Sequence, residues 1–181
     1  MNKSEKTKFK IFEEAKKLFW NYGYSNVSVR QIAKAAKVDV ALIPRYYSSK
    51  LGLFKATLDG FNWVDDIDIN DDNIIDVYTG WLLESMDMKD ETTVVKMLIM
   101  NSSDPIVGDL VKNIHIKKMR NPILKKLKKI SALQYDLMTS AFIGISQTRK
   151  TLKMPTLTSL KKTQYEKILK HIFKGATTFK S

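Results

Sequence analysis

The side chains with the most chemistry to offer lie in one short stretch: Ser28-Val29-Arg30-Gln31-Ile32-Ala33, then Val40-Ala41-Leu42-Ile43-Pro44-Arg45-Tyr46-Tyr47, then Ser48-Ser49-Lys50. That chemistry is recognition, not bond making. A guanidinium such as Arg30 can fork onto a guanine edge or a phosphate, and a phenol or ammonium such as Tyr46 or Lys50 can donate to phosphate oxygens. Small apolar side chains can meet thymine methyls. The equipment of catalysis is missing. There is no Cys, which removes thiol nucleophiles, disulfides and Cys-based zinc sites and suits a reducing compartment. Two His, at 115 and 171, leave little for a His-based metal site. No paired carboxylates, Ser/His/Asp arrangement or phosphate-cradling glycines stand out, so neither an enzyme nor a cofactor or metal is expected.

Elements must hold these residues in place, and the spacing supplies them. Ser28 with Gln31 three residues on is a capping-box pattern that opens a helix with Ile32 and Ala35 inward. Asp39 can cap a second short helix over about residues 40–47, anchored by Ile43 and Tyr47 at i and i+4, so the residues between them point outward. Ser48 or Ser49 caps a further helix with Leu53, Phe54, Leu58 and Phe61 inward. Ahead of them, Phe9, Phe12, Ala15, Leu18, Phe19 and Tyr22 make an apolar stripe on a first helix from about Ser4 to Tyr22, stopped by Gly23. The result is a helix-turn-helix whose second helix can enter a major groove while the first braces on the backbone.

The string Gly23-Tyr24, Ser28 to Ala33, Val38, Tyr46-Tyr47 and Ser49-Lys50 through Leu53-Phe54 resembles the TetR/AcrR family of one-component bacterial regulators. The resemblance covers the first third of the chain. It implies that Arg30, Val40, Ala41, Leu42 and Pro44 meet bases, with Arg45 beside them, and that Tyr46 and Lys50 hold phosphates. It also implies a homodimer on a palindromic operator, released by a small effector, acting as a repressor in the bacterial cytoplasm. Two residues depart from the pattern. Lys37 stands where the family usually places Gly, and a left-handed backbone there costs on the order of 1 kcal/mol. Pro44 is expected past the first turn of the recognition helix, where it removes a backbone hydrogen bond.

Charge points the same way. The net charge is +12, and it is divided: residues 1–60 hold 12 Lys/Arg and 5 Asp/Glu, residues 61–110 hold 2 and 12, and residues 111–181 hold 17 and 2. A basic head suits a polyanion. The acidic run at 65–72 marks a boundary between a DNA-binding domain, residues 1–60, and a helical effector-binding and dimerisation domain, residues 61–181. Asp66, Asp68 and Asn70 match positions 1, 3 and 5 of a calcium loop, but Asp71 and Val77 occupy the positions that need Gly and Glu, so a solvated boundary is the better reading.

Few Gly and Pro, 7 and 4, favour an all-α fold. Helices are expected at about Ile74–Met86 and Glu91–Met100, from Pro105 to a break before Asn121-Pro122, at Ser131–Lys150, and from a Thr163/Glu166 capping box to a stop at Gly175. Trp63, Tyr78, Trp81, Met86, Met97, Met100, His115 and Met119 are candidates to line an apolar effector pocket, though such a set also suits ordinary core. Leu137, Ala141, Gly144 and Ile145, with Ile168 and Ile172 on the last helix, are candidates for the dimer interface. No apolar run is long enough to span a membrane. The basic segment 112–129 leaves a membrane-surface protein as one rival reading, and a charge-driven DNA binder without effector as another.

Overall fold

In the computed structural model, the described residues are 2–59, 64, 67–87 and 93–180, and their regular structure is helical. The helices are α1 (Lys3–Tyr22), α2 (Val29–Ala36), α3 (Leu42–Tyr47), α4 (Lys50–Asp59), α5 (Ile74–Asp87), α6 (Val94–Asn101), α7 (Gly108–His115), α8 (Asn121–Lys126), α9 (Ala132–Lys150), α10 (Pro155–Thr158) and α11 (Lys162–Thr178). They form two compact units. One holds α1–α4 together with α6 and α7; the other holds α5 and α8–α11. The units therefore do not divide at residue 60: two helices from the middle of the chain fold back onto the head.

The first unit is built on α1. Its buried face is Ile11, Ala15 and Phe19, one turn apart, with Trp20 beside them. Phe9 and Tyr22, expected in that stripe, are 55% and 60% exposed. Phe9, two residues before Ile11, is off the arc that the i, i+4, i+8 series defines, whereas Tyr22 shares that side but is the last residue of α1. Phe19 meets Phe54 edge-on at 5.4 Å and Tyr24 at 5.7 Å between ring centroids. Trp20 donates its indole N–H to the Thr57 hydroxyl at 3.3 Å. On α2 the inward residues are Ile32, Ala33 and Ala36, while Ala35 is exposed. Burying these apolar faces supplies most of what holds the short helices in place.

The second unit packs α5, α9 and α11 together. Tyr78 is at its centre, with Trp81 at 5.0 Å, Phe142 at 5.2 Å, Phe173 at 6.0 Å and Tyr135 at 6.4 Å. Its hydroxyl donates to that of Tyr135 at 3.1 Å, which satisfies a polar atom deep in the core. Asp71 accepts the backbone N–H groups of Lys128, Lys129 and Ile130 at 2.8, 2.9 and 3.2 Å, and so ties down the chain ahead of α9. Burial raises the Asp71 pKa, but these bonds outweigh it and hold the carboxyl below its usual range. This residue of the calcium-like run thus serves as a loop cap. Among the described residues no cluster of His, Asp and Glu could hold a metal ion, and Asp66 lies outside them.

Several boundaries differ from the sequence expectation. The helix predicted to break before Asn121 continues from α7 through a π turn, Ile116–Arg120, into α8. Pro122 is the second residue of α8, directly after the π turn, where the usual i→i−4 ladder is already interrupted, so it does not force a stop. At α11 the Lys161 N–H donates to Gln164 Oε1 at 3.1 Å, so the helix begins one residue before Thr163. Glu166 is not a capping partner; it pairs with Lys170 at 3.0 Å. Gly175 lies inside α11 rather than ending it, tolerated at the usual cost of about 1 kcal/mol. The short α10 was not anticipated.

Candidate nucleic-acid interface

The local sequence builds the turn between α2 and α3 in four steps. Ser28 Oγ accepts the Gln31 N–H at 3.2 Å and Gln31 Oε1 accepts the Ser28 N–H at 2.7 Å, the reciprocal cap expected at the start of α2. Lys37 then ends α2 in the left-handed region, φ 53° and ψ 50°, the conformation for which the family's glycine is suited. Asp39 Oδ1 accepts the Ala41 N–H at 2.7 Å, and its carbonyl accepts the Leu42 N–H at 3.1 Å. The chain is turned before the helix begins, so α3 starts at Leu42, not at residue 40. Pro44 is consequently the third residue of α3, within the first turn, where an N–H has no helical partner. The expected loss of a hydrogen bond at Pro44 does not occur.

Ile43 is fully buried beneath α3. Tyr47 donates its hydroxyl to the Lys8 carbonyl at 2.8 Å, and its burial lifts the phenol pKa to about 12, so it stays a donor. These two anchors turn the rest of the turn and helix outward: Val40, Ala41, Pro44 and Arg45 are exposed, as is Arg30 on α2, while Leu42 is half-buried. Tyr46 and Lys50 are more engaged than sequence reasoning implied. The Tyr46 hydroxyl lies 3.0 Å from Ser4 Oγ on α1. The Lys50 ammonium sits 4.2 Å from the centroid of the Tyr24 ring. Desolvation there lowers its pKa, and the nearby negative charge of Asp104 partly offsets this.

Three positions that matter here were not singled out for it. Gly52 follows the cap in which Ser49 Oγ accepts the Gly52 N–H at 2.9 Å. A Cβ at Gly52 would lie 2.1 Å from the Tyr47 carbonyl oxygen, so only glycine fits behind α3. Asn101 is buried and binds the α1–α2 connection. Asp104 accepts the Ser25 N–H at 3.0 Å besides capping its own turn at Ile106 and Val107. The sequence carried a sign of the last, an Asp-Pro cap, but not of its reach to Ser25.

The other candidate residues fall as follows. Of the pocket set, Met97, Met100 and His115 belong to the first unit and Tyr78, Trp81, Met86 and Met119 to the second, while Trp63 lies outside the described residues. Met97 and Tyr78 are buried core; Met100 is exposed. Of the dimer set, Leu137 and Ile168 are each 38% exposed, Gly144 is exposed, and Ala141, Ile145 and Ile172 are half-buried. The face of α11 that packs inward is Tyr165, Leu169 and Phe173, with half-buried Ile172 at its edge and Ile168 exposed beyond it. In the basic segment 112–129 several cations are already engaged: Lys112 with Asp109, Lys118 with Asp59, Lys126 with the Ile67 carbonyl and Lys129 with Asp72. Arg120 binds Asp136 through two nitrogens at 2.8 and 2.7 Å. Among the described residues no helix is long and apolar enough to cross a membrane.

Residues 11–57 match the family model of bacterial regulatory proteins of the tetR family. The chain is 47% identical over 55 residues to the "Probable HTH-type transcriptional regulator YttP" of Bacillus subtilis (strain 168). That match takes in 30% of this chain and 27% of the relative, so the chain spans about a quarter of the relative's length in the matched region. Among solved structures, HlyIIR, a hemolysin II transcriptional regulator, is similar over 97% of this chain and 99% of its own, with a TM-score of 0.60 at 18% identity. The likeness of fold thus extends beyond the head, to the full set of helices.

Proposed function

Because residues 11–57 place this chain's N-terminal domain in the TetR family of bacterial regulatory proteins, we propose that the protein is a transcription regulator that binds a palindromic operator as a homodimer and is released by a small apolar or amphipathic effector. The observation that carries the reading is the exposed set Arg30, Val40, Ala41, Pro44 and Arg45, displayed around a capped turn whose helix is pinned by buried Ile43. Base-facing side chains that are mostly small and apolar favour thymine methyls, and Arg30 supplies the forked donor for guanine. Arg45 adds a cation at the same edge. Dimerisation is assigned to α9 and α11, where Leu137, Gly144 and Ile168 stay exposed. A two-fold axis there presents two heads to two half-sites. An effector role is assigned to the part of the chain after the head, whose aromatic and Met residues suit an apolar ligand, and repression to the unliganded state. A coupling of about 1–3 kcal/mol between the two sites suffices for release.

The test is a titration of the wild type and Arg30→Ala with duplex DNA. Loss of roughly 1–3 kcal/mol on the preferred duplex, with little loss on mixed sequence, supports base reading by Arg30. An equal loss on both makes Arg30 a backbone contact.

A further inference from the structure

The lysines at the start of the chain have no role in the account so far. The first ten residues hold Lys3, Lys6, Lys8 and Lys10 against one carboxylate, Glu5. Glu5 is occupied as a helix cap, accepting the Asn2 N–H at 2.8 Å while Asn2 Oδ1 accepts the Glu5 N–H at 2.9 Å. Among the described residues no ion pair engages Lys3 or Lys8, and both are exposed.

What makes this end of α1 more than a solvated basic tip is its neighbour. Ser4 Oγ lies 3.0 Å from the Tyr46 hydroxyl. One turn further along, the Lys8 carbonyl accepts the Tyr47 hydroxyl at 2.8 Å, and the Lys8 ammonium lies 5.6 Å from the Tyr47 ring centroid. The first two turns of α1 are therefore fastened to the end of α3 by both of its tyrosines. A phosphate oxygen accepting from Tyr46 would sit about 2.7 Å from that hydroxyl, and so within about 6 Å of Ser4 Oγ. Lys3 adjoins Ser4, and Lys8 lies one turn beyond it on the same side. Both side chains are long enough to bring an ammonium to that oxygen or to the next phosphate.

We propose that the start of α1 is a second DNA-backbone contact, in which Lys3, Ser4 and Lys8 join Tyr46 on the phosphates beside the recognition helix. This rests on the DNA-binding reading above and adds a surface to it. These contacts are blind to sequence, since they touch only the backbone; they raise affinity for every duplex and fix the angle at which α3 enters the groove.

The experiment measures binding of the full chain to a mixed-sequence duplex between about 0.05 and 0.2 M salt, because each phosphate contact contributes about 0.9 to the slope of log affinity against log salt. Lys3→Gln/Lys8→Gln should lower that slope by about two per subunit bound and weaken binding on the order of tenfold, alike on any sequence. Ser4→Ala should weaken binding by a few-fold with the slope unchanged, since it removes a neutral donor. Lys17→Gln is the control: it removes the same kind of charge from the far half of α1, where Lys17 pairs with Glu14 at 3.5 Å. An unchanged slope in the double variant overturns the proposal, as does a drop in Lys17→Gln equal, per charge removed, to that of the double variant, which would mean that net charge alone is at work. A wild type that binds no duplex overturns the DNA-binding reading itself. All substituted residues are exposed, and a thermal melt matching the wild type confirms that folding is intact.

Discussion

Asn101 Oδ1 accepts the backbone N–H of Tyr24 at 2.7 Å, from 77 residues away in sequence. Its amide group donates at the same time to the Phe19 carbonyl at 3.1 Å and to the Met97 carbonyl at 2.9 Å, all out of contact with water. The first of these carbonyls closes α1 and the second belongs to α6. Gly23, between Phe19 and Tyr24, has φ +85°, and a Cβ there would lie 3.0 Å from the Met100 carbonyl. The connection from α1 to α2, and so the origin of the helix-turn-helix, is held by α6 as firmly as by its own neighbours. This is why α6 and α7 belong to the same compact unit as the head.

Asn101→Ala should therefore destabilise the first unit by about 1–3 kcal/mol, since it leaves the buried Tyr24 N–H without a partner and removes the amide's bonds to the Phe19 and Met97 carbonyls. Chemical denaturation of the full chain measures it. A change below about 0.5 kcal/mol would show that water or a shifted backbone replaces the amide.

Asp104 makes a pH-dependent contribution to the same joint. Desolvation pushes its carboxyl up, but the bonds from Ser25, Ile106 and Val107 outweigh that and hold it below its usual range. A carboxyl depressed in the folded state stabilises fully above its unfolded value and loses that contribution as pH falls through the folded one. Stability should thus decline as pH drops below about 4, and Asp104→Asn should flatten that part of the profile while lowering stability at neutral pH. Thermal melts from pH 2 to 7 decide it; identical profiles for the two proteins would contradict the assignment.

Lys50 has two possible uses, and they separate cleanly. If it holds a phosphate, Lys50→Ala weakens binding to all duplexes and lowers the salt slope by about one per subunit. If it only packs on Tyr24, the substitution costs about 0.5–1 kcal/mol of stability and leaves the slope alone. The expected result is the first, with a smaller version of the second beside it. An unchanged slope removes Lys50 from the interface.

Much of the head was legible because its signals are local. The Ser28/Gln31 box, the left-handed Lys37, the buried Ile43 and the Ser49 cap each depend on residues within four positions of one another. The errors came where a local rule met a partner far away or a neighbour of equal merit. Asn101 reads as an ordinary polar residue at the end of a helix, and nothing near it in sequence announces Tyr24. Phe9 and Ile11 are both apolar, and only packing decides which of them turns inward. Thr163/Glu166 and Lys161/Gln164 are both plausible starts for α11, and the second pair won. The effector assignment was the least legible, since Met and aromatic residues serve a core and a pocket alike.

The dimer is tested at Gly144. It is exposed on α9, and a Cβ there meets nothing within 4 Å in the single chain. Gly144→Leu should leave the folded subunit intact and disturb only a partner packed against α9. Light scattering at micromolar concentration should give about twice the chain's 20.8 kDa for the wild type, and a value near 20.8 kDa for the variant. A wild type that scatters as a single chain would contradict the dimer.

The most direct test of the central claim is selection of bound sequences from a pool of random duplexes by the full-length protein. The account predicts convergence on an inverted repeat whose half-sites are centred about one helical turn, 34–36 Å, or a multiple of it apart. Arg30→Ala should relax a guanine position within each half-site. A pool that stays random after repeated rounds, or that yields a single half-site without its mirror image, would contradict a dimeric, sequence-reading regulator.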